Sequence, residues 1–187
     1  MAAEKMDRRV RKTRSLLLQG LIRLMEEKDV KDISVKELAD LVDINRGTFY
    51  LHYNDIYDML SKTEDELFVE FNEILDRNFS ENAQVTSSMS TLLDIFVFLE
   101  KHHDMARVMI GPHGDLAFVN RLKDLVNNRL QHLLEQEHFS CDYEYYKPFI
   151  VSGCIGVIET WLNHPNPNTP EEMARLCSDM LSKGLVC

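Results

Sequence analysis

ISVKELADLVDINRGTFYLHYNDIYDML, residues 33–60, decides how this chain is read. Ser34 followed three residues on by Glu37 is a capping box, in which the hydroxyl takes one free N–H of the first turn and the carboxylate reaches back to the cap. A helix therefore starts at about Val35 and carries Val35, Leu38, Ala39 and Val42 on one face. It ends at Asp43, where a tight turn needs positive φ, and aspartate accepts that conformation better than most side chains other than glycine. Asn45 then caps a second helix, from Arg46 to about Tyr53. Helices joined this way cross steeply; Ala39 is small enough for the crossing point, and Ile44 and Phe49 fill the angle.

The outer side of the second helix presents a guanidinium, bare backbone and a hydroxyl from Arg46, Gly47 and Thr48, and then Tyr50, His52 and Tyr53. Such groups reach base edges and phosphate oxygens in a major groove. Spacing alone fits two ordinary packed helices equally well. The residue types separate the readings: Leu38-Ala39, Ile44-Asn45, Gly47-Thr48-Phe49-Tyr50, His52-Tyr53 and Asp55 to Leu60 together resemble the DNA-binding domain of the tetracycline-repressor (TetR) family of bacterial transcription regulators. Two positions depart from that pattern. Asp43 stands at the usual turn glycine, and Ile56 stands where the family places a lysine that contacts phosphate. Without that lysine, the grip on phosphate is expected to rest more on the N-terminal arm and on Tyr50. The expected DNA contacts are Arg8, Arg9, Lys12, Ser34, Lys36, Arg46, Gly47, Thr48, Tyr50, His52 and Tyr53.

Charge is divided unevenly. The net charge is −10, yet residues 1–53 hold 11 Lys/Arg against 9 Asp/Glu, a balance of +2, while residues 54–187 hold 10 against 22, a balance of −12. Lys5, Arg8, Arg9, Arg11, Lys12 and Arg14 crowd the start and read as an arm that follows a phosphate backbone or enters a minor groove, or, without a helix-turn-helix, as a solvated helix start. The acidic remainder repels DNA and confines binding to one end.

With 187 residues, 44% hydrophobic and 28% charged, the chain can bury a sizeable core. The longest nearly apolar run, Phe149 to Ile158, is too short to span a bilayer, and no signal sequence opens the chain, so a cytoplasmic location without membrane partners is expected. Cys141, Cys154, Cys177 and Cys187 lack CxxC spacing and read as free thiols. His102, His103 and Asp104 with His113 form the one cluster a metal could use, but no HExxH or paired CxxC supports a metal site, and no nucleophile–base–orienter set supports an enzyme. Neither a metal nor another cofactor is expected.

A first helix, about Arg11 to Glu27, carries Leu18, Leu21, Ile22 and Met25 and should pack across the helix-turn-helix. Lys28 to Asp32 is its loop, and a fourth helix runs from Asn54 or Asp55 to about Phe79. Residues 92–100, LLDIFVFLE, suggest a buried helix, GPHGD at 111–115 breaks the chain after Ile110, and Leu116 to His138 is a long amphipathic helix. With no sustained alternation anywhere, the expected fold is all-α, about nine helices, as a three-helix DNA-binding domain over 1–53 and a helical domain over 54–187.

From Tyr145 to Leu162 the chain is apolar all round, with Gly153 and Gly156 leaving backbone bare; after HPNPNTP (164–170), Thr169 caps and Pro170 opens a last helix. A helix apolar on two sides needs cover on both, from its own domain and from a second copy, or else it lies wholly inside the core. The resemblance implies a homodimer built on a four-helix bundle, and the interface residues expected are Val151, Gly153, Ile155, Gly156, Ile158, Leu162, Met173, Leu176 and Met180. It also implies a cavity for an unknown small-molecule effector, lined here by Phe96, Leu99, Met105, Met109, Phe118, Leu122 and Trp161 with His113, although such stripes are also what a core looks like. GPHGD before the long helix and EEMARL after the glycine helix resemble a subgroup from low-GC Gram-positive bacteria, some members of which respond to a protein partner. The expectation is a homodimeric repressor released from a palindromic double-stranded DNA operator by a small molecule, with a coregulator or activator answering to a protein partner as the alternative.

Overall fold

The computed structural model describes residues 2–78, 88–136, 143–165 and 167–184. Among them are nine α-helices and no strand: α1 (Ala2–Met25), α2 (Val35–Leu41), α3 (Arg46–Tyr50), α4 (Ile56–Asn78), α5 (Ser88–Lys101), α6 (His103–Ile110), α7 (Leu116–Gln136), α8 (Tyr143–Leu162) and α9 (Pro170–Gly184), with a single 3-10 turn at Val30–Asp32. The all-α expectation holds. The ends expected at Phe79 and His138, and Cys141 and Cys187, lie outside the described residues.

Two compact units emerge, and they do not divide at 53/54. The first comprises Met1–Asp65 with Val108–Gly114, and the second Glu66–Arg107 with Asp115–Cys187. The boundary at 65/66 falls inside α4, which runs unbroken from Ile56 to Asn78.

In the first unit, Leu17, Leu21, Leu24 and Met25 of α1 are buried, as are Ile33, Leu38, Ala39 and Phe49, and α1 packs on α2. Gly20 permits this. A Cβ there would stand 2.5 Å from Val42 Cγ1 and 2.7 Å from Leu38 Cδ1, so α1 meets α2 at bare backbone. The basic stretch expected as an arm is instead helical, since α1 begins at Ala2 and not Arg11. Its cations Arg8, Arg9, Arg11, Lys12 and Arg14 therefore sit on a helix.

The second unit is held by α5 packed along α9 and α7 along α8. Phe96 meets Trp161 edge-to-face at 5.2 Å and Phe71 tilts against Phe98 at 5.7 Å. Trp161 Nε1 donates to the Asn168 carbonyl at 2.8 Å, which satisfies the one polar atom of a buried indole. At α9 the capping box is reciprocal: Glu172 N–H donates to Thr169 Oγ1 at 3.3 Å and Thr169 N–H to Glu172 Oε2 at 2.9 Å, with Pro170 in the first helical position.

Candidate nucleic-acid interface

The capping box at α2 forms as its spacing implies. Glu37 N–H donates to Ser34 Oγ at 3.2 Å, and Lys28 of the α1 end donates to the Glu37 carboxylate at 2.5 Å, which holds that carboxyl below the ordinary range. α2 then ends in Asp43 at φ 54°, the one positive-φ non-glycine among the described residues, and Ile44 N–H returns to the Ala39 carbonyl at 3.0 Å. This turn sets the direction in which α3 leaves α2. Asn45 Oδ1 accepts from Gly47 N–H at 2.7 Å and starts α3.

α3 is one turn and a half long, shorter than expected, and is followed by a turn in which His52 N–H and Tyr53 N–H both bond the Phe49 carbonyl. Phe49 is fully buried and anchors it. Arg46, Gly47 and Tyr50 lie exposed on the opposite side, while Thr48 and His52 are half-buried. Arg8, Arg9, Arg11 and Lys12 are exposed on α1, and Ser34 and Lys36 at the start of α2. Every expected contact except one is thus at least partly open to solvent.

The exception is Tyr53, which is 5% exposed. Its ring packs at 5.7 Å from Phe49, and its hydroxyl accepts from Arg14 Nε at 3.1 Å. Arg14 and Lys62 stand 6.0 and 5.5 Å from the ring centroid, within cation–π range. The sequence reading set Tyr53 on the outer face, but Tyr53 follows Phe49 by four residues and its N–H bonds the Phe49 carbonyl, so it shares that buried side and braces α1 and α4. Sequence reasoning also missed Leu51, 81% exposed and four residues from Gly47; that i+4 spacing was the available signal.

Elsewhere in the first unit, His113 Nδ1 donates to Asp29 Oδ1 at 2.7 Å, and Lys31 pairs with the same carboxylate at 2.9 Å. Lys31 first and His113 second hold Asp29 below the ordinary aspartate range. The expected pocket set is therefore divided. Met109 and His113 belong to the first unit, where His113 is engaged with Asp29, whereas Phe96, Leu99, Met105, Phe118, Leu122 and Trp161 belong to the second. All of these six except half-buried Leu122 are buried.

Of the expected interface residues, Val151, Leu162 and Met173 are buried within the chain, because they fall on the sides of α8 and α9 that face their own core. Gly153, Gly156, Leu176 and Met180 are exposed, and Ile155 and Ile158 are half-buried. Added Cβ atoms at Gly153 and Gly156 would meet nothing within 4 Å, so the bare backbone faces outward. Tyr145 and Phe149, both exposed, continue the same stripe.

The histidines singled out for a metal have other partners. His102 bonds Glu70 at 2.9 Å and His103 the Leu162 carbonyl at 3.1 Å, and among the described residues no three His, Cys, Asp or Glu side chains gather to hold an ion. No helix among those residues is long and apolar enough to cross a membrane.

Comparison with known proteins gives three findings. The family described as "Transcriptional regulator C-terminal region" matches residues 86–183. An uncharacterized HTH-type transcriptional regulator, YxbF of Bacillus subtilis (strain 168), is 21% identical over 170 residues, 88% of this chain; the chain spans 43% of that relative's length. Two solved structures share the fold. A TetR transcriptional regulator from Streptococcus agalactiae 2603V has a TM-score of 0.62 at 21% identity, covering 96% of this chain and 98% of that one. FadR from Bacillus subtilis, in complex with stearoyl-CoA, has a TM-score of 0.67 at 16% identity, covering 91% and 98%.

Proposed function

The chain belongs to the tetracycline-repressor family of transcriptional regulators, and from that premise we propose that it is a cytoplasmic DNA-binding repressor without enzymatic activity. It binds a palindromic operator as a homodimer and leaves it when a small molecule enters the second unit. One observation carries the reading: α3 is anchored by Phe49 on one side and presents Arg46, Gly47 and Tyr50 on the other, in the same unit as a helix that exposes Arg8, Arg9, Arg11 and Lys12. A groove is lined by just such an arrangement, with guanidinium and phenol for base edges and phosphates and a row of cations for the backbone.

One short helix reads only a few base pairs, so specificity calls for two copies, placed about one duplex turn or a multiple of it apart. The exposed stripe of Tyr145, Phe149, Gly153 and Gly156 on α8, with Leu176 and Met180 on α9, supplies the apolar surface for pairing. Release follows if an effector among the apolar side chains around Phe96 and Trp161 changes the separation of the two α3 helices, because a pair that no longer matches the groove spacing loses one half-site.

The test is selection of bound duplexes from a random DNA pool with the purified full chain. Enrichment of an inverted repeat supports the reading, and a pool that stays random after repeated rounds overturns it.

A further inference from the structure

We propose that Leu51 reads the 5-methyl group of a thymine in each half-site; the inference rests on the DNA-binding reading above and adds a base preference to it. The outward face of the α3 region consists of two rows one helical turn long, Arg46 with Tyr50 and Gly47 with Leu51. Leu51 is the most exposed of the large hydrophobic residues described, at 81%, and the only aliphatic side chain in those rows. Its neighbour in the row, Gly47, has no side chain, and the space its Cβ would take is bounded only by Asn45 Oδ1 at 3.2 Å. A base edge can therefore approach the backbone at Gly47 and bring its flank against the Leu51 methyls.

The chemistry narrows the choice of base. Major-groove edges of guanine, cytosine and adenine display hydrogen-bond donors and acceptors, and a leucine side chain answers neither; thymine alone adds an apolar group, its C5-methyl. An isobutyl group left this open in free protein gains by burial only against such a group, and any other base there would lose its hydration without compensation.

Uracil is the probe, since it pairs as thymine does and lacks only that methyl. Twin random pools, one amplified with dTTP and one with dUTP, are selected against wild-type chain and against Leu51→Ala, and the enriched duplex is then re-made with single dT→dU replacements. One thymine per half-site should lose about 4-fold in wild-type affinity on conversion to dU, the worth of one buried methyl. Leu51→Ala should bind both forms within about 2-fold of each other, and its melting temperature should stay close to wild type, because the residue is 81% exposed. Absence of thymine from the enriched half-site, no thymine sensitive to dU, or an equal dU penalty in Leu51→Ala overturns the assignment while leaving DNA binding standing. Failure to enrich any sequence overturns both.

Discussion

The hydroxyl of Tyr53 accepts a hydrogen bond from Arg14 Nε at 3.1 Å, joining residues 39 positions apart in sequence. Tyr53 therefore braces α3 against α1. Tyr53→Phe keeps the ring against Phe49 and deletes only the acceptor, so it should cost about 1 kcal/mol, or about 2–4 °C in melting temperature. Tyr53→Ala removes the ring as well and should cost about 3–5 kcal/mol. Thermal melts of both variants check this; equal losses would place all of Tyr53's worth in its hydroxyl.

Asp43 at φ 54° carries the turn between α2 and α3. Alanine there pays the left-handed penalty without a side chain that bonds locally, and should destabilise by about 1 kcal/mol. Glycine adopts the conformation freely, and Asp43→Gly should be as stable as wild type or better. Denaturant unfolding of the pair gives the comparison.

How much was legible in the sequence depends on where the information is local. The α2 capping box, the Asp43 turn and the Thr169–Pro170 start of α9 each lie within a few residues, and each forms as its spacing implies. The burial of Tyr53 was legible in its i+4 spacing from Phe49, whereas its bond to Arg14, 39 positions away, was not. For the same reason α8, apolar on every side, did not disclose that Val151 and Leu162 face inward while Gly153 and Gly156 face out. The assignment of His113 to Asp29, 84 positions away, was likewise beyond a reading by spacing.

Cys177 is buried, and burial first and the neighbouring Cys154 second push its thiol up to about 11. Burial raises Cys154 as well. At pH 8 the Cys177 thiolate fraction is about one in a thousand, so iodoacetamide should label it at least roughly 10-fold slower in the folded than in the unfolded chain. Peptide mapping over a labelling time course reads this; equal rates would contradict the packed environment.

Glu70 accepts from Lys101 Nζ at 2.6 Å and from His102 Nε2 at 2.9 Å. Partial burial works to raise its pKa, but the Lys101 and His102 donors outweigh it and hold the carboxyl below its ordinary value of 4.5. A carboxyl depressed on folding contributes stability that is complete above its unfolded pKa and lost as pH falls through the folded one. The stability difference between wild type and Glu70→Gln should accordingly be constant above pH 4.5 and shrink on further acidification. A difference that widens in acid would reverse the sign.

The outward face of α3 is the centre of the account, and the most direct test is the affinity of Arg46→Ala and Tyr50→Ala for the duplex that wild-type chain selects. Arg46 is exposed, so Arg46→Ala should keep the wild-type melting temperature, and Tyr50→Ala, which loses an edge contact with Phe49, should stay within about 4 °C of it. Specific affinity should fall at least about 10-fold, toward the level of an unrelated duplex. Wild-type affinity in both variants would contradict the assignment of α3 as the element that reads DNA.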